Sequence, residues 1–171
     1  MKVLRLARTA RTARTWGCAG LLAALLAACA SVGPPVPGAS REQIYSRWGE
    51  PRASYALPAG QRLFYRRKPG ELQRLDFDAN GRLVSMEQVF TAAHFRTLAQ
   101  GHWEAADVQR SFGPPLRQMA AGEKQEERGS VWIYSWLDFG TWRLARVRMS
   151  AAGSVQGVEF VEDTQADDRY R

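Results

Sequence analysis

Trp48-Gly49-Glu50-Pro51 reads as the end of a helix, and the chain writes it a second time as Phe112-Gly113-Pro114-Pro115. The glycine offers a left-handed C′ cap and the proline blocks continuation. Working outward, Ile44 precedes Gly49 by five positions, and Val108 precedes Gly113 by five. Farther along, Leu63-Phe64-Tyr65 matches Trp132-Ile133-Tyr134, so Tyr65 falls on Tyr134. Phe77 through Gly81 to Leu83 then matches Met149 through Gly153 to Val155 without a gap. The insertions fall before Tyr134 and within the next hairpin. Self-similarity of this kind decides the architecture. It predicts an α+β protein of two tandem units. Each is a short helix, or helix pair, covering one face of an antiparallel sheet of three or four strands.

The local signals fill in both units. Ser40 and Gln43 match a capping box, and Ile44 with Trp48 gives the helix an apolar edge. Residues 54–57, 62–67, 72–78 and 83–89 read as strands. Pro58-Ala59-Gly60 turns the first, and Lys68-Pro69-Gly70-Glu71 suits a type II turn. Asn80-Gly81 is a hairpin signal. Residues 40–89 thus form the first unit, and 90–161 the second. Thr91 caps a helix running to Gln100, with Phe90 stapled onto Phe95. A further helix spans 103–112, with Ala105, Val108 and Phe112 on one side. Residues 116–119 are a candidate strand and 120–130 a polar loop. Strands follow at 131–137, 141–149 and 154–161, turned by Asp138-Phe139-Gly140 and Ala151-Ala152-Gly153. Residues 162–171 are a charged tail expected to fray.

The N-terminus carries its own address. Residues 1–15 hold Lys2, Arg5, Arg8, Arg11 and Arg14 and no acid, and residues 16–28 are apolar or small. This is the pattern of a secretory signal, and it is too short for a spanning helix of ~20 residues. Leu26-Ala27-Ala28-Cys29 resembles the bacterial lipoprotein box. The resemblance implies cleavage before Cys29, a diacylglyceryl thioether on its sulfur and acylation of the new amine. By resemblance to enterobacterial sorting, Ala30 after the cysteine points to the outer membrane, facing the periplasm. Residues 29–39 are then the lipidated cysteine and a Pro/Gly-rich tether, reaching roughly 30 Å at ~3.1 Å per residue.

Charge and cysteine content exclude some classes. Five of the 24 Lys and Arg lie in the signal, leaving 19 against 17 acids. The high overall pI therefore does not argue for nucleic-acid binding, which needs a clustered basic face in the working protein. Cys18 leaves with the signal and Cys29 is capped, so the core, not a disulfide, must hold the fold.

Gly-x-Pro after a short helix, an aromatic strand ending in Tyr, and Asp-x-x-Gly-x-Val resemble the SmpA/OmlA (BamE-like) lipoprotein domain. The better match runs Leu98, Gly101, Val108 and Phe112-Gly113-Pro114-Pro115, with His102-Trp103 where the family usually has a small hydroxyl cap. The first copy is Gly38, Ile44 and Trp48-Gly49-Glu50-Pro51. Tandem units of this kind also resemble the β-lactamase-inhibitor protein fold. The first resemblance implies a non-catalytic, membrane-anchored lipoprotein whose partners include the β-barrel assembly machinery or another envelope protein. The second implies an inhibitor of a periplasmic or extracellular hydrolase.

Residue chemistry points the same way. His94 and His102 are the only histidines, and no set of three or four ligands converges on them. No Gly-x-Ser-x-Gly elbow or phosphate loop occurs, and Asp76 with Asp78 reads as a pair of solvated strand charges. No catalytic residue, cofactor, metal or small-molecule substrate is expected. Trp132, Tyr134 and Trp136 alternate on one face of a strand, where they either fill the space beneath a helix or anchor a partner. Arg146 and Arg148 face away from the core beside Val147 and Met149. Arg66, Arg67 and Lys68 form a second basic cluster at a hairpin tip. Either basic group is a candidate contact for an acidic partner or anionic lipid.

Overall fold

The computed structural model describes residues 33–121 and 129–166. The signal, Cys29, residues 122–128 and the last five residues lie outside them. Contacts divide the chain into Met1–Pro34 and Pro35–Arg171, and every element below belongs to the latter.

The first unit is α1 (Arg41–Trp48) followed by β1 (Ala53–Leu57), β2 (Gly60–Tyr65), β3 (Gln73–Asp78) and β4 (Leu83–Gln88). Next come α2 (Ala92–Arg96) and a 3-10 turn over Thr97–Ala99. The second unit is α3 (Ala105–Phe112) with β5 (Arg117–Ala121), β6 (Gly129–Asp138), β7 (Thr141–Met149) and β8 (Val155–Glu162). Each sheet is a four-stranded antiparallel meander in chain order. The fold is α+β with two matching sheets.

The repeat extends to individual hydrogen bonds. Gly49 and Gly113 close their helices at φ 73° and 69°, their amides donating to Tyr45 and Gln109 carbonyls. Tyr65 Oη then donates to the Gly49 carbonyl at 3.1 Å, and Tyr134 Oη to the Gly113 carbonyl at 3.3 Å. The amide that opens each helix is held by the turn before the last strand: Arg41 N–H donates to Gly81 O at 3.2 Å, and Ala105 N–H to Gly153 O at 2.8 Å. Each sheet has a register shift at the matching place, between Asp76 and Phe77 and between Arg148 and Met149. One mechanism therefore builds both units. The hairpin at the end of the meander seats the helix start, and a strand tyrosine ties down the helix end.

The sheets differ in what covers them. α1 packs Ile44 onto Leu63, Tyr65, Leu75, Phe77 and Leu83, one face of the first sheet. The opposite face is covered as well: Phe64 and Leu72 join Phe95, Phe112, Tyr134 and Trp136 in a core shared with the second unit. The second sheet covers its inner face with α2 and α3 through this same core. The layers are thus α1, first sheet, α2 with α3, second sheet.

Several elements depart from the sequence reading. The helix expected over 103–112 begins at Ala105, because the Glu104 N–H donates to Asp107 Oδ2 at 3.1 Å and makes Glu104 the cap. The helix expected to reach Gln100 is α only to Arg96 and then tightens into the 3-10 turn. The strand expected at 116–119 runs to Ala121, and β6 starts at Gly129, so the ladder takes both ends of the expected loop. The tail does not fray at its start. Glu162 ends β8, the Asp163 amide donates to Trp142 O at 2.9 Å, and Ser135 Oγ donates to Asp163 Oδ2 at 3.2 Å. Asp163 and Ala166 are buried there.

Candidate functional site

The candidate interaction residues separate sharply. Trp132, Tyr134 and Trp136 do share one face, but that face is the core. Tyr134 meets Phe95 at 5.4 Å, and Trp136 meets Phe95 at 5.1 Å between ring centroids. Their reading as a surface anchor is therefore corrected: α2 and α3 lie over them, and burial of such rings is what holds the helices down. Burial also raises the Tyr134 phenol well above its ordinary value, so it stays a neutral donor.

Arg66, Arg67 and Lys68 do not form one free cluster. The Arg66 guanidinium lies 6.0 Å from the Phe90 ring centre, with its Nε buried. Arg67 stacks over Trp48 at 4.7 Å. Arg67 and Lys68 are both exposed, with Lys68 3.9 Å from Glu71. Stacking on aromatic faces draws the two arginines back onto the fold.

Arg146 and Arg148 point outward, and register adds to them. Arg146 pairs with Ile133, and Ile133 with Arg117; Arg148 pairs with Val131, and Val131 with Met119. Directly paired residues share a face. The outer face of the second sheet thus carries Arg117, Arg146 and Arg148 with half-exposed Met119. Among the described residues, Glu159 stands 4.0 Å from Arg146. Gly157 leaves room for the Arg148 side chain: a Cβ there would meet Arg148 Nη2 at 3.0 Å. Toward the other end of the face, Ser135 and Leu144 are buried and Asp163 bonds Ser135. Beyond them Leu137 is half exposed and Phe139 fully so.

The polar groups that could have carried chemistry are engaged structurally. Asp76 is not a solvated charge: Arg62 grips it with Nε–Oδ1 at 2.6 Å and Nη2–Oδ2 at 2.7 Å, and also donates to Arg110 O on α3. Asp78 closes its turn, its Oδ1 accepting from the Asn80 and Arg82 amides. His94 bonds Glu87 at 2.8 Å and Thr91 at 2.9 Å, and Glu87 bonds Arg74. His102 is exposed beside Glu104. Among the described residues no three His, Cys, Asp or Glu group as a metal site would require. An open cleft of about 400 Å³ lies between the first sheet and α3, lined by Arg62, His102, Trp103, Asp107 and Arg110. Its two arginines are already matched by Asp76 and Asp107. It therefore presents little net charge to a ligand.

Phe139 is the residue that sequence reading passed over. The available signal was a bulky apolar residue directly before the glycine of a two-residue strand turn.

No protein-family model matches this sequence, and no curated protein does. Among solved structures, a DUF4309 family protein (YjgB) from Bacillus subtilis is similar over 78% of this chain and 84% of its own, at 12% identity and a TM-score of 0.29. A likeness at that score carries no argument.

Proposed function

We propose that this protein is a non-catalytic interaction module, anchored by lipid at Cys29 to the outer membrane and facing the periplasm. In this reading it serves outer-membrane protein assembly or envelope maintenance, as the BamE-like resemblance implies. The observation that carries it is the outer face of the second sheet, where Arg117, Arg146 and Arg148 project and, among the described residues, Glu159 stands against Arg146. Such a face suits a partner with a carboxylate-rich surface, because complementary charge speeds encounter and fixes register.

The anchor supplies residence at the membrane. One acyl chain holds only marginally, and each buried CH₂ adds ~0.8 kcal/mol, so three chains on Cys29 make release negligible. The fold then needs only a weak contact, since its partner meets it within one confined layer.

A second reading, an inhibitor of a periplasmic or extracellular hydrolase, is favoured by one feature, the exposed aromatic tip at Phe139. It loses the concave aromatic surface that Trp132, Tyr134 and Trp136 would have provided.

The test has two arms. Labelled palmitate should enter the mature chain, and Cys29→Ser should leave an unlabelled, uncleaved precursor. Replacing Arg146 and Arg148 by Ser in the lipidated protein should lower recovery of barrel-assembly subunits by roughly tenfold. A mature chain without label, or equal recovery with both arginines gone, overturns the proposal. Recovery of a hydrolase in place of assembly subunits selects the second reading.

A further inference from the structure

We propose that the outer face of the second sheet seats an acid-bearing α-helix of a partner protein, laid across it as α2 and α3 are laid across the first sheet. This deepens the reading of the chain as an interaction module and rests on it.

The internal repeat supplies the geometry. In the first sheet Arg62 pairs with Asp76, Phe64 with Arg74, and Arg74 with Glu87. In the second, Val131 pairs with Arg148, Ile133 with Arg146, and Arg146 with Glu159. The registers superimpose, so each residue of one set stands where its counterpart stands in the other. On the first sheet this face lies under helices, and its polar residues reach up to them. Glu87 bonds His94 of α2 at 2.8 Å, and Arg62 donates to the Arg110 carbonyl of α3 at 2.7 Å. Phe64 and Leu72 receive the end of α3, where a Cβ on Gly113 would meet both at 3.4 Å. On the second sheet Ile133 and Leu144 stand for Phe64 and Leu72, and Glu159 and Arg148 stand exposed for Glu87 and Asp76.

The composition suits a covered face. A sheet face made for water alternates to polar residues. Here Ile133 and Leu144 form a buried aliphatic floor, with Arg117, Met119, Arg146 and Arg148 exposed beside them. Arg and Met are enriched at protein interfaces, and Lys and Asp are depleted. One end of the face is already closed, since Asp163 bonds Ser135 and the Trp142 carbonyl. The end that holds Arg146 and Arg148 is open to a partner.

Charge selects the occupant. At the matching positions the first sheet is neutral, with Arg62 and Arg74 against Asp76 and Glu87. The second is positive, because Arg148 replaces Asp76 and Arg117 replaces Ala53. Arg146 and Arg148 are two residues apart on one strand, roughly 6.6 Å at ~3.3 Å per residue. Helix positions i and i+4 lie on one side, roughly 6 Å apart at ~1.5 Å per residue. Two acids at that helical spacing therefore meet the two arginines. The α1 helix of a second copy carries Arg41 and Arg47 beside Glu42, so charge favours a different protein over stacking of this chain on itself.

The test uses the full chain in intact cells of its own bacterium. The photoreactive residue p-benzoylphenylalanine replaces Met119, which is 48% exposed on this face, or Val84, 59% exposed on β4, as the control. Irradiation should give one defined protein adduct at position 119, in yield roughly tenfold above position 84. Attachment points on the partner, mapped by mass spectrometry, should fall three and four residues apart, on a segment with Asp or Glu at the same spacing. Arg148→Asp restores the charge of the first sheet and should lower the adduct roughly tenfold, with an unchanged melting temperature. Arg148→Lys should keep the adduct. No adduct, equal adducts at both positions, or undiminished yield with Arg148→Asp each overturns the proposal. So do attachment points two residues apart, which mean a strand added at the β5 edge, and attachment to a second copy or to residues 167–171 of the same chain. If barrel-assembly subunits are still recovered with the wild-type chain in those cases, only this inference falls. If no partner is recovered at all, the interaction reading falls with it.

Discussion

Tyr65 and Tyr134 hold the same post in the two copies, each donating its hydroxyl to the carbonyl of a helix-ending glycine. Their surroundings differ, because the first sits in the smaller cluster beneath α1 and the second in the shared core. Burial, with smaller contributions from Tyr45 and Glu50, pushes the Tyr65 phenol up to about 12. A raised phenol contributes stability that is complete below the ordinary value of 10 and is lost as pH rises through its folded value. Alkaline unfolding should therefore set in above pH 10, and Tyr65→Phe should blunt it in a pH-dependent urea titration. At neutral pH, Tyr134→Phe leaves a buried carbonyl without its donor and should cost ~1–2 kcal/mol, against ~1 kcal/mol for Tyr65→Phe. Paired urea melts check the order. Phe139 runs the opposite way. Asparagine tolerates its positive φ, so Phe139→Asn should stabilise by ~1 kcal/mol, a rise of roughly 3 °C in a thermal melt.

At the scale of elements, α3 and the Gly70 hairpin show how the chain sets its joints. The Asp107 carboxylate accepts from the Glu104 amide and pairs with Arg110, and the amide bond foremost holds it below the ordinary 3.8. A depressed carboxylate stabilises above its unfolded value, and that contribution fades as pH falls through the lower folded value. Asp107→Ala should thus weaken the protein at neutral pH, and the gap to wild type should close below about pH 4 in acid urea melts. Gly70 and Gly101 make a paired test. Both have positive φ, 73° and 76°, but a Cβ at Gly101 meets nothing within 4 Å while one at Gly70 strikes Leu137. Gly101→Ala should cost ~1 kcal/mol for the left-handed backbone alone, and Gly70→Ala ~3 kcal/mol. The same contrast explains what was legible in the sequence. Caps and turns depend on residues a few positions apart, so Ser40 with Gln43, Thr91, Asn80-Gly81 and the doubled Gly-x-Pro could be read directly. The outward aim of Arg146 and Arg148 followed from strand alternation. The second face of the first sheet could not be read so simply, because alternation reports one face and hides a strand buried on two. Its trace was the unbroken run Leu63-Phe64-Tyr65, all three buried. Asp163 and Phe139 escaped for a related reason: what each touches, or fails to touch, depends on contacts that local pattern does not carry.

The whole molecule repeats its parts but does not divide at the repeat. Phe64 and Leu72, from the first unit, lie in one core with Phe112, Trp132 and Tyr134 from the second unit. Gly113 sits close to both: a Cβ there would meet Leu72 Cδ2 and Phe64 Cγ at 3.4 Å. Arg62 adds a polar tie, gripping Asp76 within its own sheet and the Arg110 carbonyl on α3. A first unit cut off at Val89 would open Phe64, Leu72 and Val89 to water, and fully burying such side chains is worth ~1.5–3 kcal/mol each. That loss is comparable with the entire stability of a small domain, ~5–15 kcal/mol. Residues 40–89 alone should therefore fail to fold, whereas residues 35–166 should unfold in a single cooperative step. Phe64→Ala provides the decisive measurement. Truncating a buried ring costs ~3–5 kcal/mol. Under separate folding only the first sheet would feel it, and the near-ultraviolet signal of Trp132 and Trp136 would keep its wild-type midpoint. Under a shared core the tryptophan signal and the amide protection of β2 and β3 should fall together, at one lowered midpoint. Two resolved transitions would show instead that the tandem copies stand as independent domains.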